Sequence, residues 1–447
     1  MSHQHRMWLL ALIVIVAVLV GCAGQGAAPT TQPTGAPAQQ GGEQPTSQPS
    51  SGEAQHEPVT LTYWTAGPNP PLSTATEDLV KEFMNKYPWI TVNVQNFAFG
   101  EYFQKIDTAT AGGNAPDVFW VDNTQVPIYV YNDVIIPLDD YVQPGYADDL
   151  FPIPKADMTY NGKIWALPMH QSTEAILYNE DMIKAAGLEP PQSYDQAWKH
   201  DQWVDAITKV TEKSGDVTNV WGWTTFYPVG TYSIEPWQYA RGAQYLNDEG
   251  TTYTGYTNGE ASVESLGWIG SLFKQGLSPI ERVPDIFQTG KVAFIQANPF
   301  VLTDIQQRYP DLKVGVMPIP CEQRCAVPSG GYHIGIHSQS KHPQEGWMLV
   351  DFLTSKEGHK EWIEKTGYMP ARKSVYEEMP NLKEYPLSIF MEGLANHAVR
   401  RPINEAWPVF NDTFTSAVEN VITGADPKAE LDKVTQAAQE ELDRYKK

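Results

Sequence analysis

The chain carries 14 Trp and 22 Tyr among 447 residues, a set of side chains suited to holding a polyol. Sugars present flat C–H faces beside hydroxyls, so their receptors combine aromatic platforms with a few placed polar groups. Carboxylates could do something else with the same ligand: paired acids about 5–9 Å apart hydrolyse a glycosidic bond. With 53 Asp and Glu in the chain, such pairs arise by chance, and no spacing singles one out. No GxSxG nucleophile elbow is present, so acyl transfer by that device is excluded. In "HIGIH" (333–337) the Gly and Ile point to a strand. There His333 and His337 would stand about 13 Å apart at roughly 3.3 Å per residue, too far to share a metal. Cys321 and Cys325 in "PCEQRCAVP" could form half of a metal site, but the third cysteine, Cys22, lies far away in sequence. Outside the cytosol a small-loop disulfide is the expected pairing. Neither catalytic residues, nor a metal, nor a cofactor is expected.

"TAGGNAPDVFWVD" (110–122) sets a Gly-Gly pair before an apolar run. A phosphate-binding loop needs its glycines after a strand and before a helix, so that free N–H groups face the anion. Here the order is reversed, and the glycines serve a turn into the strand that starts at Val118. Ligands of open α/β sheets gather beyond the carboxyl ends of strands, which directs attention to Asp122, Asn123 and Thr124.

The elements that must position these residues follow from periodicity. "VTLTYWTAG" (59–67) and "ITVNVQNF" (90–97) alternate as strands. Leu79, Val80, Phe83, Met84 and Tyr87 mark one helix face before Pro88, and residues 100–111 read as a second helix. Strand–helix–strand–helix–strand predicts a mostly parallel sheet with covering helices. "AILYNEDMIKAAGLEPP" (175–191), "GKVAFIQANPF" (290–300) and "LKVGVMPIP" (312–320) repeat this grammar in a second region. Leu431, Val434, Ala438, Leu442 and Tyr445 recur at helical spacing and close the chain with an amphipathic helix.

The N-terminus predicts export. Arg6 precedes an apolar run from Met7 to Val20, then Leu19-Val20-Gly21-Cys22. The run falls short of the about 20 residues a spanning helix needs and suits a signal-peptide core. Small residues before a cysteine resemble the lipobox of bacterial lipoproteins, which implies diacylation of Cys22 as the first mature residue. Residues 23–57 are built of Pro, Gln, Gly, Ala, Ser and Thr with no basic residue, a composition that predicts a flexible, disordered tether over 22–57. Loss of Arg6, the only charged residue among the first 21, takes the net charge from −22 to −23. A surface this acidic argues against nucleic acid or anionic lipid as partner.

Six further blocks appear in order along 58–447: "YWTAG", "EYFQKIDTATAGGNAPDVFWVD", "NGKIWALPMHQSTEAILYNEDMIKAAGLEPP", "GKVAFIQANPF", "VPSGGYHIGIHSQSKHPQEGWMLVDFLTSKEG" and "TGYMPARKSVY". Together they resemble the family 1 extracellular solute-binding proteins, the carbohydrate receptors of ABC importers, with the maltose receptor as a distant relative. In "PPQSYDQAWKHDQW" (190–203) this chain departs from the family, carrying extra residues where the pattern usually runs on without interruption. The resemblance implies an α/β fold of two lobes, each a mostly parallel sheet flanked by helices, with the ligand cleft at the hinge. The first lobe would comprise 58–172 and 330–378, the second 173–329 and 379–447. It implies no enzyme but a monomeric, lipid-anchored receptor on the outer face of the cell membrane. Such a receptor closes on a mono- or oligosaccharide and delivers it to the permease subunits. A receptor for glycerol phosphate or another polyol phosphate shares this architecture, and an exported glycoside hydrolase is the alternative of another class.

By the same matching, Phe300 falls where the maltose receptor stacks an aromatic on its sugar. Trp64 ends the first strand, Trp223 and Trp237 lie in the Gly- and Tyr-rich segment 221–245, and Trp407 follows the last crossing. Polar candidates are Asp122 and Asn123, with Glu101 and Tyr102 opening the helix after the second strand. Ser172 and Thr173 mark the first crossing, Gly330 and Gly331 admit a ligand to the backbone, and Tyr368 follows "TG". Arg401, or its neighbour Arg400, resembles a ligand-binding Arg of the glycerol-phosphate receptors.

Overall fold

The computed structural model describes residues 56–446, so Cys22, the signal peptide and nearly all of the tether lie outside the described residues. The alternating strand Val59–Ala66 pairs in parallel with Ile90–Phe97 along its whole length, from Val59 opposite Ile90 to Ala66 opposite Phe97. On its other side it pairs in parallel with Val118–Asp122. Parallel neighbours need a crossover, and the helices Leu72–Lys86 and Phe99–Ala111 supply it. Leu79, Val80 and Phe83 are the buried face of the first, as their spacing requires. Gly113, at φ +70°, turns the chain out of the second helix towards the strand, which is the service the Gly-Gly pair performs.

Two strands from elsewhere complete this sheet. Tyr332–Ile336 runs antiparallel to Val118–Asp122, with Tyr332 opposite Asp122, and Leu167–Pro168 pairs at its edge. The second sheet runs in the order Val314–Met317, Ala175–Asn179, Val292–Ala297, Val217–Thr225, Glu212–Ser214. Only Val292–Ala297 beside Val217–Thr225 is parallel there. Both sheets are therefore mixed rather than mostly parallel. Ala175–Asn179 and Tyr332–Ile336 each arrive from the other sheet, and a strand that enters this way need not share its neighbours' direction. Glu212–Ser214 is antiparallel because a hairpin joins it to its neighbour.

The second sheet's core is aromatic. Trp203 and Trp223 have ring centroids 5.6 and 5.4 Å from that of Trp237, and Trp203 lies 5.1 Å from Phe294. Trp203 comes from the helix His200–Val210, which begins only after the extra residues near 194–199. The C-terminal helix Pro427–Tyr445 starts at the Asp426 cap, which accepts from Ala429 N–H at 2.8 Å. It buries Leu431, Val434, Ala438 and Leu442 as their spacing predicts. Cys321 and Cys325 are joined in a disulfide. Among the described residues no helix is long and apolar enough to cross a membrane, and no group of His, Cys, Asp and Glu could hold a metal ion.

Candidate functional site

Two crossing segments run side by side between the sheets. Ser172 N–H donates to Gly330 C=O at 2.8 Å and Gly330 N–H donates back at 3.1 Å, while Met169 N–H donates to Tyr332 C=O at 2.9 Å. This closeness explains the glycines. A Cβ on Gly331 would stand 2.3 Å from the His170 carbonyl oxygen, and one on Gly330 would stand 2.9 Å from the Arg401 guanidinium. A cavity of about 920 Å³ opens against these segments, between the strand ends of the two sheets. Its walls include Asp122, His170, Ser172, Gly330 and Gly331, with Tyr227, Tyr232, Phe300, Tyr332, Tyr368 and Trp407 as aromatic faces.

Arg401 is the polar centre of one wall. Its Nη2 donates to Asn123 Oδ1 at 2.6 Å and to Asp122 Oδ1 at 3.2 Å. Its guanidinium lies 5.5 Å from the ring centre of Tyr232 and 5.6 Å from that of Trp407. Two aromatic quadrupoles and a carboxylate thus hold the cation, and its Nε has no hydrogen-bond partner. Asn123 in turn donates to Asp157 Oδ2 at 2.7 Å, and Asp122 accepts from Thr124 N–H at 3.0 Å and from its hydroxyl at 2.6 Å. Arg400 points elsewhere and pairs with Asp157 at 2.7 Å. Ser172 Oγ accepts from Tyr232 OH at 2.9 Å and from Asn298 Nδ2 at 2.5 Å, so the second sheet is tied to the first crossing. His170 stacks on Tyr368 at 3.9 Å between centroids, and burial holds its pKa well below the usual imidazole range.

Of the residues singled out from sequence, the structure brings Asp122, Ser172, Phe300, Gly330, Gly331, Tyr368, Arg401 and Trp407 to the cavity wall. The others do not line it. Trp223 and Trp237 are buried in the aromatic core, where Trp237 Nε1 donates to Gln296 Oε1 at 2.7 Å. Tyr102 is fully buried, and its hydroxyl ties two strands by donating to Trp120 C=O at 2.8 Å and Trp64 C=O at 3.2 Å. Trp64 packs edge-on against Phe97. Glu101 is exposed and meets only Lys105, one helical turn on. Thr173 is buried behind the crossing, and Asn123 stands behind Arg401 as its acceptor. Sequence reasoning missed Tyr227, Tyr232, Tyr332, His170, Asp107 and Tyr129, all on the wall. Tyr332 follows the glycine pair directly, and Tyr227 and Tyr232 lie in the very segment where the Trp residues drew attention. A tyrosine in such a segment is the better wall residue, because its hydroxyl wants water or a ligand while its ring packs.

Two carboxyls, of Glu174 and Glu235, and three imidazoles, of His200, His337 and His359, are buried in the protein, and Glu174 Oε1, Glu235 Oε1 and His359 Nδ1 lack a hydrogen-bond partner. Burial pushes Glu174 and Glu235 up to about 8, and pushes His200 and His337 down to about 4 and His359 down to about 3. The carboxyls stabilise the fold fully below their unfolded value of 4.5 and lose that contribution as pH rises towards 8. The imidazoles contribute fully above 6.5 and lose it as pH falls towards 4. Between 4.5 and 6.5 the two sets oppose each other; above 6.5 only the carboxyls act. Thermal denaturation should therefore show Tm falling from pH 6.5 to pH 8, with the slope reduced in Glu174→Gln and Glu235→Gln. A flat profile over that range in the parent would overturn the assignment.

Residues 78–390 match the family model of bacterial extracellular solute-binding proteins, and the chain belongs to that family. It is similar to the maltotriose-binding protein of Pyrococcus abyssi, 22% identical over 82% of this chain and 78% of that one. It is 24% identical to the sn-glycerol-3-phosphate-binding periplasmic protein of Escherichia coli strain K12, over 62% of this chain and 67% of that one. Its fold matches that of an ABC substrate-binding protein of Listeria monocytogenes solved in complex with cycloalternan. That match has a TM-score of 0.77 at 24% identity and covers 86% of this chain and 99% of the other.

Proposed function

We propose that this chain is the receptor of an ABC importer for an oligosaccharide, which it binds in the cavity between its sheets and passes unchanged to the permease subunits. The observation that carries this reading is the wall itself: Tyr227, Tyr232, Phe300, Tyr332, Tyr368 and Trp407 facing about 920 Å³ of space. Volume and lining suit a ligand of several sugar rings, each needing an apolar face and hydroxyl partners. Relatives that bind maltotriose and cycloalternan support it. A glycerol-phosphate reading is disfavoured because the one cationic side chain on the wall, Arg401, has its charge offset by Asp122, and Asp107, Glu405, Asp412 and Glu441 line the same cavity. Asp122, Ser172, Phe300, Tyr368, Arg401 and Trp407 are the proposed ligand contacts, and the lobes are taken as 58–172 with 330–378 and 173–329 with 379–447. Cys22 carries the lipid that holds this monomer at the membrane.

A thermal-shift screen against neutral oligosaccharides tests the reading, since a ligand of the native state raises apparent stability. For any hit, calorimetry on Phe300→Ala and Trp407→Ala should show at least one losing about 2–4 kcal/mol of binding, the size of a stacking hot spot. Small-angle scattering should show compaction on binding as the lobes close, and Cys22→Ala should leave the detergent phase. Absence of any carbohydrate hit would sink the proposal.

A further inference from the structure

The helix Phe99–Ala111 carries an apolar stripe that leaves the core at its first residue. Tyr102 and Ile106 are its buried positions. Phe99, three residues before Tyr102 and on the same face, stands beyond the core and lines the cavity with 51% of its surface exposed. Among the described residues no other aromatic ring on that wall is so open. Tyr368 is 4% exposed and Trp407 2%, while Tyr227, Tyr232, Phe300 and Tyr332 are half-buried. Two neighbours brace the ring edge-to-face. Phe103 lies 5.6 Å from it and Tyr332 6.1 Å between centroids, and both line the same cavity. Room remains beside it, since a Cβ built on Gly100, also on the wall, would meet no atom within 4 Å.

A phenyl ring left half in water forgoes the burial that a core position supplies. A ring already held from two sides loses little freedom when a ligand lands on it. Those are the terms of a stacking platform: the C–H face of a pyranose covers the open surface, and the bracing rings keep that surface in place. Phenylalanine has no polar atom in its side chain, so ring surface is all that Phe99 offers a sugar. The first sheet's other large aromatics are engaged elsewhere. Trp64 packs edge-on against Phe97, and the Tyr332 ring is stacked on Trp120 at 4.7 Å between centroids. We infer that Phe99 is the first lobe's platform, and that a sugar ring of the cargo stacks on it beside Gly100. This inference rests on the oligosaccharide reading above and gives it a specificity-determining residue.

Calorimetry with maltotriose, cellotriose, mannotriose and the hits of the thermal-shift screen tests it, each variant being compared on the tightest binder. Phe99→Ala should weaken binding at least about tenfold, the scale of one lost stacking contact. Its Tm without ligand should stay within about 2 °C of the parent, because a half-exposed ring contributes little packing. Phe99→Trp should hold affinity within about threefold of the parent. Phe99→Leu should not, since leucine keeps apolar area but has no flat face. Gly100→Leu should fold as well as the parent, leucine being the better helix former. Its side chain should fill the room beside the ring and cost at least about tenfold in affinity. Val217→Ala, at an exposed apolar residue off the cavity, should leave affinity unchanged. Parent-like affinity in Phe99→Ala, Phe99→Leu or Gly100→Leu would overturn the inference and leave the importer reading standing. So would an affinity loss in Phe99→Ala that comes with a lost Tm. Silence of every carbohydrate would remove both readings.

Discussion

Trp237→Ala is expected to lower folding stability by about 3–5 kcal/mol, the range for truncating a buried aromatic. The ring is only 1% exposed and packs against Trp203, Trp223 and His200. Its loss would also leave Gln296 Oε1 without its donor. That amide is the middle of a buried chain, since Gln296 Nε2 donates to Glu174 Oε2 at 2.6 Å and to Ser233 C=O at 2.9 Å. The cost therefore combines a cavity with an unsatisfied acceptor. Urea unfolding followed by tryptophan fluorescence would measure it, and Trp237→Phe, which keeps most of the volume, should recover more than half. The contrast with Phe300→Ala is diagnostic. A wall aromatic should lose affinity with little change in stability, whereas Trp237→Ala should lose stability while its folded fraction still binds. A Trp237→Ala protein as stable as the parent would return Trp237 to the list of ligand platforms.

That contrast shows what the sequence carries and what it withholds. Val59–Ala66, Leu72–Lys86, Ile90–Phe97 and Pro427–Tyr445 were legible because burial of one face imposes a period of 2 or 3.6 on the residues. Strand direction was not, since nothing in "AILYN" or "YHIGI" records that each enters from the other sheet. The wall was legible where backbone geometry demanded a residue type: Gly331 stands where a Cβ would strike the His170 carbonyl, and Asp122 ends a strand and caps the turn after it. The choice among aromatics was not legible. Trp223 and Tyr227 are four residues apart on one segment, and only the packing of His200–Val210 against Val217–Thr225 decides that the first is core and the second wall. Arg400 and Arg401 pose the same problem at a spacing of one. Asp157 takes the first, and Asp122 with Asn123 the second.

Arg401→Met is expected to cost about 3 kcal/mol of stability, the low end of the loss seen when one partner of a buried ion pair is removed. Asp122 keeps both bonds from Thr124 and some solvent, which holds the loss at that end of the range. Methionine preserves contact with Tyr232 and Trp407 through a soft side chain, so the variant reports on the charge rather than on packing. Arg401→Lys should recover little. One ammonium cannot reproduce a planar group that reaches Asp122 and Asn123 while lying over two rings. Asp122→Asn alone should also destabilise, because it leaves the guanidinium with only the neutral Asn123 oxygen and the field of more distant acids. Combining the two changes removes both charges together. The Asp122→Asn, Arg401→Met double variant should then be more stable than the sum of the single losses by about 1–3 kcal/mol, the coupling expected of groups in contact. Urea unfolding of the four proteins closes that cycle. Additive losses would mean that Asp122 and Arg401 do not depend on each other, and the wall would then be held by the rings of Tyr232 and Trp407 rather than by the ion pair.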